Sequence, residues 1–431
     1  MLRIPGFVDI QCNGYKGVDF SSLALTAETL AEACIGLLDD GGCACIVPTV
    51  ITSSDAVYAH VLPLLADFIE GGGKEGEGGT GGKGGTGGKG GKGGKGGNGG
   101  AGGGSWGEEG GSEGDGLYVG TDLGGGEGDG VRATGQNTAW RARLKGRILG
   151  VHLEGPFISA ERGARGCHPA QHVVEPCVNK LENWQRLARG HIKLVTLAAE
   201  APGADVVCRW AVDRGIAVAL GHQMAGLAPG TEGDIARLVD AGASLVTHLG
   251  NGLPNMIHRH TNPLWPLLAD DRVSAMVITD GFHLPDACIT TFVRAKEPCR
   301  IIVTSDCAPV AGLPDGTYAA LGGRVRVDGN RVSPAEDDSC LAGSGSLMVA
   351  CMNHLAGIGG GRRREGGGEG EVGENGANDG SVPLLSLREL EEVGFYNPLR
   401  AIGVTPHRVL LSCDEPVLRW EEGLFVAVRA S

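Results

Sequence analysis

The feature that most restricts the fold of this 431-residue chain is a series of eight short apolar runs rich in β-branched residues. Continuous hydrophobicity over a short run is typical of strands that are buried on both faces of a parallel sheet. The runs are Phe7–Ile10, Cys45–Ile51, Ile148–Leu153, Ile192–Leu197, Ile216–Leu220, Ser244–Thr247, Ser274–Thr279 and Ile301–Thr304. They predict a parallel sheet with one strand for each run.

Helical patterns lie between several of these runs, which indicates repeated β-α units. Eight such units predict a closed (β/α)8 barrel, an α/β fold of the TIM type. A doubly wound open sheet is the alternative fold, and it is less favoured because no G-x-G-x-x-G sequence follows the first strand. The helical segments are Ala27–Asp39, Asp55–Ile69, Leu181–Ala188, Ala204–Asp213 and Asp234–Asp240.

Two glycine-rich segments interrupt the pattern, at residues 71–130 and 359–380. Both combine glycine with charged and small polar residues, so burial of apolar side chains cannot offset the entropy of ordering them. We expect both to be disordered insertions that loop out of one domain. The barrel would then comprise residues 1–70, 131–358 and 381–412.

The composition excludes several classes of protein. The net charge of −14 argues against a nucleic-acid or anionic-membrane surface, which would need a basic face. The 13 cysteines contain no C-x-x-C pair, so they predict reduced thiols and not a disulfide framework or a zinc ribbon. No apolar run has the length of a membrane span, and no signal peptide follows Met1. We therefore expect a soluble, cytoplasmic protein.

Polar residues recur where the predicted strands end. In a barrel the carboxyl ends of all strands meet at one face, where active sites are built. The sequence therefore predicts a site at this face. Its candidates are Gln11 and Asn13 after the first strand, His152 and Glu154 ending the third, His222 after the fifth, His248 after the sixth, Asp280 and His283 after the seventh, and Asp306 after the eighth.

One carboxylate and two imidazoles from three strands form the ligand set of a catalytic zinc-type site with an open position for water. Glu154, His222 and His248 supply this set. A metal ion held there would lower the pKa of a bound water and polarise a carbonyl oxygen. Asp306 would be free to take the proton of the water and pass it to a leaving group. These parts predict metal-assisted hydrolysis of an amide-like bond.

Each candidate also has an ordinary structural interpretation. A single histidine such as His222 or His248 is more often a satisfied polar residue than a ligand. Glu154 and Asp306 could each cap a neighbouring loop or helix. The common position at strand ends favours the site. His152 lies one step deeper in its strand, where a hydrogen-bonded core histidine is the better interpretation.

The motifs around these residues resemble those of the N-acetylglucosamine-6-phosphate deacetylases of the amidohydrolase superfamily. The similarity extends from Pro5 to Met348 and continues in NPLRAIGVTPHRVL near the carboxyl end. It implies a barrel of the metal-dependent hydrolase type with a truncated accessory β-sandwich, of which residues 413–431 would be the remnant. The matching motifs are PGFVDIQCNG, GVHLEGPFIS, GCHPAQH, ALGH, THLGNGLPNMIHR, ITDGFH, VTSDCAP and LAGSGSLM.

The resemblance implies catalytic roles for five of the matched residues. Glu154, His222 and His248 would bind one divalent metal ion per subunit, zinc or iron. Asp306 would act first as general base and then as the acid that protonates the departing amine. His168 would contact the acetyl carbonyl of the substrate and stabilise the oxyanion.

The resemblance also implies a substrate and the residues that hold it. The substrate would be N-acetyl-D-glucosamine 6-phosphate, an intermediate of amino-sugar catabolism, and the products D-glucosamine 6-phosphate and acetate. Asn251, the backbone at Gly252, and His283 would hold the sugar phosphate. Arg259 would reach the phosphate across the interface of a homodimer, since its planar guanidinium suits a dianion.

The residues after the first strand favour a single metal ion. Many amidohydrolases carry His-x-His there, whereas this chain has Gln11 and Asn13, which are poor zinc ligands. No lysine ends the fourth strand, where TLAAE stands, so a bridging carbamate is excluded. The same two absences argue against a dihydroorotase-like cyclic amidase. The other alternative is a catalytically silent barrel, and the intact set of Glu154, His222, His248 and Asp306 argues against it.

Overall fold

A computed structural model describes residues 2–71, 139–337, 340–359, 382–412 and 418–428. Both segments that we predict to be disordered insertions lie almost entirely outside these described residues. Residues 1–73 and 136–431 cluster into one compact unit.

Eight parallel strands form the central sheet, and each is hydrogen-bonded to the next in chain order. Apart from Ala217, the β-branched and apolar residues of these strands are buried, as expected for strands covered on both faces. The strands are Phe7–Cys12 (β1), Cys43–Ile51 (β2), Val151–Glu154 (β3), Ile192–Leu197 (β4), Ala217–Leu220 (β5), Leu245–Val246 (β6), Ser274–Val277 (β7) and Ile301–Val303 (β8).

The first and last strands close the barrel at its carboxyl end. The carbonyl of Gln11 accepts from the backbone N–H of Asp306 at 2.9 Å, and the N–H of Asn13 donates to the carbonyl of Cys307 at 3.0 Å. Below them, the buried Asp9 carboxylate accepts a hydrogen bond from the Thr304 hydroxyl at 2.8 Å. The closure therefore brings the residues after β1 against those after β8.

Helices surround the sheet. Two of the longest begin at hydroxyl caps: Thr26 forms a capping box with Thr29, and the Ser54 hydroxyl accepts from the N–H of Val57. The helices are Ala27–Asp39, Asp55–Ile69, Arg162–Arg165, Val178–Leu187, Ala204–Val212, Asp234–Asp240, Leu264–Ala269, Asp286–Lys296, Met348–Gly357, Leu387–Glu391, Asn397–Ala401 and Pro406–Ser412, with a π-helical turn at Glu392–Tyr396.

The inside of the barrel is a packed apolar core that extends to its amino end. Inward-facing residues of seven of the eight strands, such as Val8, Met276 and Ile302, join Leu149 before β3 in packing with Phe395 and Leu399 from the carboxyl-terminal helices. The buried Asn397 amide attaches these helices by donating to the carbonyls of Pro298 and Ile301. The amino end is thus filled, and the open end of the barrel is the carboxyl end.

Three small antiparallel sheets accompany the barrel. One pairs Leu2–Ile4 with Leu418–Glu421 and Leu424–Ala427, which places an ordered β element within the predicted remnant of the accessory region. Another follows β8 and contains Gly316–Ala320, Gly323–Asp328 and Arg331–Pro334. The last is the short pair Gly14–Tyr15 and Val18–Asp19.

The predicted (β/α)8 barrel is confirmed, and the open-sheet alternative is wrong. Strand and helix positions agree with the predictions to within a few residues; the helix predicted from Leu181, for example, begins at Val178. The sheet after β8 was not predicted. Its first two strands contain several exposed residues, so they lack the continuous hydrophobicity by which the barrel strands are recognised.

One pH-dependent stability effect arises in the short sheet after β1. The Asp19 carboxylate accepts from the N–H of Ser21 at 2.7 Å, and burial raises the pKa of Asp19 to about 6. The folded state therefore binds a proton more tightly than the unfolded state, and stability decreases as the pH rises from about 4 to 6.

We expect Asp19→Asn to stabilise the metal-free protein at neutral pH, because the amide keeps the acceptor and removes the buried charge. The free energy of unfolding of Asp19→Asn relative to that of wild type should increase by about 1–1.5 kcal/mol between pH 5 and pH 7.5. Denaturant unfolding of both proteins at the two pH values measures this difference. An advantage that is the same at both pH values would contradict the assignment.

Candidate metal centre and active site

Three polar residues at the mouth of the barrel share an unusual backbone conformation. His222, His248 and Asp306 have φ values of +50°, +30° and +48°, in the left-handed region that most side chains avoid. Each follows its strand by two or three residues. Such strained positions typically cost about 1–3 kcal/mol each and cluster at functional sites. Here the shared turn directs all three side chains into the same cavity.

The donor atoms of Glu154, His222 and His248 converge on one point. Oε1 of Glu154 lies 3.0 Å from Nε2 of His222 and 3.0 Å from Nε2 of His248, and the two Nε2 atoms are 2.9 Å apart. All three side chains are buried. Donors bonded to one tetrahedral zinc ion at about 2.0–2.1 Å would be separated by about 3.3 Å, so the set fits such an ion closely.

The hydrogen bond at the far side of His222 shows why a cation is needed here. Nδ1 of His222 lies 2.8 Å from the carbonyl oxygen of Ala164, which can only accept, so Nδ1 carries the proton. In a neutral ring, Nε2 then presents a lone pair to the Glu154 oxygen. Buried acceptors that face each other repel unless a proton or a metal ion lies between them. Metal-binding histidines usually donate their other ring N–H in this way, as Nδ1 of His222 does to the Ala164 carbonyl.

The charges of the cluster are strongly coupled. Burial opposes ionisation of Glu154, but hydrogen bonds and charges from His222 and His248 outweigh it and hold the pKa of this carboxyl well below its usual range. Burial also opposes protonation of His248, but the hydrogen bond that its Nε2 donates to Glu154 outweighs burial and raises the pKa of His248. An anionic carboxylate in this position attracts a divalent cation.

His168 lies beside the three candidate ligands and is the alternative to His248 as the third ligand. One of its ring nitrogens lies within 4.8 Å of the donor atoms of Glu154 and His222, and its ring packs edge-on against that of His222 at 4.3 Å. His248 is the better ligand because its Nε2 is 3.0 Å from the Glu154 oxygen. Nδ1 of His168 pairs instead with the Thr52 hydroxyl at 2.9 Å. Burial lowers the pKa of His168 well below its usual range, so the ring is neutral.

Asp306 lines the same cavity as Glu154, His222 and His248. Its Oδ1 accepts from Nδ2 of Asn13 at 2.8 Å. Burial, followed by the negative charge of Glu154, raises the pKa of Asp306 to about 7. A carboxyl group whose pKa lies near neutrality exchanges protons most effectively at physiological pH.

A cavity of about 400 Å³ opens above these groups. It is lined by Glu154, His222, His248, His168 and Asp306, and also by Asn251, Gly252 and His283. These are eight of the nine residues to which the family resemblance assigns a role.

His283 is oriented by a neighbouring carboxylate, since its Nδ1 is 2.9 Å from the Asp280 carboxylate. Although burial opposes it, the hydrogen bond from His283 keeps the pKa of Asp280 low.

The ninth residue, Arg259, does not line this cavity. It is exposed on the loop after β6, and its backbone carbonyl accepts from the indole N–H of Trp265 at 2.8 Å. Within one chain, Arg259 is therefore separate from the site. Its predicted contact across a dimer interface stays a prediction.

Sequence reasoning placed His152 correctly but missed its partners. Its ring nitrogens lie 3.3 Å from the Thr49 hydroxyl and 2.8 Å from the Thr196 hydroxyl, which in turn lies 2.6 Å from the Thr247 hydroxyl. Burial lowers the pKa of His152 to about 4. His152 is thus a neutral, hydrogen-bonded core residue beneath the candidate ligands. Thr52 was also missed, although it follows β2 directly and obeys the strand-end rule.

Gly252 allows the two candidate histidine ligands to approach each other. Its φ is +62°, and an added Cβ would lie 3.1 Å from Cε1 of His248 and 3.2 Å from Nδ1 of His222. We expect Gly252→Ala to weaken divalent-metal binding about tenfold or more, because both rings must shift. Gly230→Ala is the control, since Gly230 has φ +84° and nothing within 4 Å of its Cβ position. Metal competition with a chromophoric chelator measures both; equal affinities in the two variants would contradict the expectation.

Sequence relatives of known function agree with this geometry. No protein-family model matches the sequence. The N-acetylglucosamine-6-phosphate deacetylase of Bos taurus is 27% identical over 359 residues, which cover 81% of this chain and 68% of that protein. The enzyme of the same name from Bacillus subtilis is 34% identical over 215 residues, covering 49% of this chain and 51% of that protein. The chain resembles N-acetylglucosamine-6-phosphate deacetylases over most of its length.

Solved structures confirm the fold. The Mycobacterium smegmatis N-acetylglucosamine-6-phosphate deacetylase, determined as a mutant bound to N-acetyl-D-glucosamine 6-phosphate, superposes with a TM-score of 0.65 at 20% identity and covers 99% of this chain and 87% of that chain. The deacetylase of Thermotoga maritima gives a TM-score of 0.62 at 19% identity, covering 99% of this chain and 89% of that chain. In the described part of this chain, no helix has both the length and the apolar character needed to cross a bilayer.

Proposed function

We propose that this chain is a metal-dependent deacetylase that hydrolyses N-acetyl-D-glucosamine 6-phosphate to D-glucosamine 6-phosphate and acetate. The observation that carries the proposal is the convergence of Glu154, His222 and His248 within 3.0 Å, with the buried Asp306 lining the same cavity. The sequence relatives named above carry this activity in their names. A step of amino-sugar catabolism in the cytoplasm would be the corresponding role.

Glu154, His222 and His248 would hold one divalent ion, zinc or iron, per subunit. A bound ion of this kind would act as a Lewis acid. It would polarise the acetyl carbonyl and lower the pKa of a bound water towards neutrality. The amides of Gln11 and Asn13 provide no imidazole for a second ion, so we propose one ion per chain.

Asp306 would carry the proton during hydrolysis. Its carboxylate takes a proton from the attacking water and later gives it to the nitrogen of the departing glucosamine. Burial raises the pKa of Asp306 in the metal-free protein, which makes the protonated form accessible to a group that acts first as base and then as acid. The hydrogen bond from Asn13 holds one carboxylate oxygen and leaves the other to face the cavity.

His168 would stabilise the developing oxyanion. The ring is neutral, and the Thr52 hydroxyl can donate to its Nδ1, which leaves an N–H on Nε2 to donate into the cavity. A fixed donor aimed at the carbonyl oxygen gains strength as negative charge develops there.

The sugar phosphate would bind in the same cavity as the candidate ligands. Asn251, the backbone at Gly252, and His283 line it there. Arg259 is exposed and outside the cavity of its own chain, which suits a contact with the phosphate bound by a second subunit of a homodimer. Its fork of N–H donors matches a phosphate dianion.

Acetate release from N-acetylglucosamine 6-phosphate by the purified, metal-loaded protein tests the proposal. We expect turnover of this substrate, and slower turnover of N-acetylglucosamine because it lacks the phosphate. Bound metal without acetate release from the phosphorylated sugar would overturn the proposed function and favour a silent barrel.

A further inference from the structure

Two amide side chains beside the site each contact one of its two carboxylates. Nε2 of Gln11 donates to Oε1 of Glu154 at 2.8 Å, and Nδ2 of Asn13 donates to Oδ1 of Asp306 at 2.8 Å. All four side chains are buried. The two amides are only two residues apart at the end of β1, yet they contact carboxylates on either side of β1, in β3 and in the segment after β8.

The orientation of both amides follows from chemistry. An ionised carboxylate oxygen can only accept, so each amide must present its NH₂ group to the carboxylate. The amide oxygens, Oε1 of Gln11 and Oδ1 of Asn13, then face elsewhere, and neither has a hydrogen-bond partner within the described chain. Asn13 lines the cavity, so its oxygen is an acceptor for a donor from water or substrate there. Amides do not titrate, so both NH₂ groups remain donors as the pH changes.

The backbone around the amides is fixed from both sides. The carbonyl of Gln11 and the N–H of Asn13 bond to the segment after β8, and the N–H of Cys12 donates to the Thr49 hydroxyl of β2 at 3.1 Å. Hydrogen bonds to β2 and to the segment after β8 therefore fix the backbone from which both amides extend. Side chains held in this way can fix the groups that they contact.

We propose that Gln11 and Asn13 are positioning residues with separate tasks. Gln11 holds Glu154 in the orientation that binds the metal ion, and therefore sets the affinity for metal. Asn13 holds Asp306 in the orientation that transfers the proton, and therefore sets the turnover rate. The inference rests on the proposed function, since it assumes the metal site and the deacetylation reaction.

The test uses apolar residues of similar size. Gln11→Met and Asn13→Leu each remove one amide donor and keep most of the volume. Asn397→Leu is the control for loss of a buried amide, because Asn397 lies among the helices that fill the amino end of the barrel. For each full-length protein, zinc affinity is measured by chelator competition, and kcat and KM for N-acetylglucosamine 6-phosphate are measured at saturating zinc.

We expect Gln11→Met to weaken zinc binding about 10–100-fold and to keep kcat at saturating zinc within about threefold. Asn13→Leu should lower kcat about 10–100-fold and leave zinc affinity and KM within about threefold. Asn397→Leu should change none of these values by more than about threefold. If either isostere does not fold, Gln11→Asn and Asn13→Ser provide the same comparison, because both side chains are too short to reach their carboxylates.

The outcomes separate this inference from the proposed function. Equal losses of zinc affinity in both variants, or equal losses of kcat, would overturn the division of tasks. If the wild-type protein binds zinc but releases no acetate, the proposed function fails, whereas the zinc affinity of Gln11→Met still tests the role of Gln11. A Gln11→Met protein that binds zinc as tightly as wild type would overturn that role.

Discussion

The Asp306→Asn protein should bind its metal ion normally and release acetate at least about 10³-fold more slowly than wild type. Asparagine preserves the acceptor for Asn13 at 2.8 Å and the shape of the side chain, but it cannot take a proton. The loss should therefore appear in kcat, with little change in KM. Steady-state acetate release at pH 7.5 and metal content by mass spectrometry measure the two quantities.

Asp271→Asn provides the matched control for this variant. Asp271 is an exposed carboxylate that precedes β7, at the amino end of the barrel, and it pairs with Arg300 at 3.6 Å. Its substitution removes the same charge far from the mouth and should leave kcat unchanged. An Asp306→Asn protein with wild-type activity would show that another group moves the proton.

The Glu154→Gln protein should lose its metal ion and its activity together. The amide removes the negative charge at the point where three donor atoms converge, and two imidazoles alone hold a divalent ion weakly. We expect zinc affinity to fall at least about 100-fold and activity without added zinc to disappear. Equilibrium dialysis against zinc measures the affinity, and addition of excess zinc should restore part of the activity.

Glu161→Gln is the control for Glu154→Gln. Glu161 is an exposed carboxylate seven residues further along the chain, at the start of the helix Arg162–Arg165, and should keep wild-type zinc affinity when neutralised. A Glu154→Gln protein that retains zinc after dialysis would mean that His168, and not Glu154, completes the ligand set.

The sequence predicted the barrel because its strands are buried on both faces. Runs such as Cys45–Ile51 and Ile192–Leu197 are mostly apolar, and each lies within a strand of the structure. The order of the strands then followed from the topology alone, since parallel strands in a barrel are added in chain order. Because the carboxyl ends of all barrel strands meet at one face, the sequence also predicted that Glu154, His222 and His248 lie together.

Other features of the site could not be read from the sequence. The left-handed conformation of His222, His248 and Asp306 is imposed by tertiary packing, because their side chains disfavour it locally. The contact between Asn13 and Asp306 depends on barrel closure across 293 positions of sequence. Thr52 was detectable, since it follows β2 in the way that His222 follows β5, but a hydroxyl at a strand end is a weaker signal than an imidazole.

Titration of the metal-free protein with zinc is the decisive measurement for metal-dependent deacetylation. We predict no acetate release from N-acetylglucosamine 6-phosphate before metal is added, a linear increase in activity as zinc is added, and a plateau at about one ion per chain. Activity in protein shown to contain no metal would contradict metal dependence, and a plateau at two ions per chain would contradict the single site.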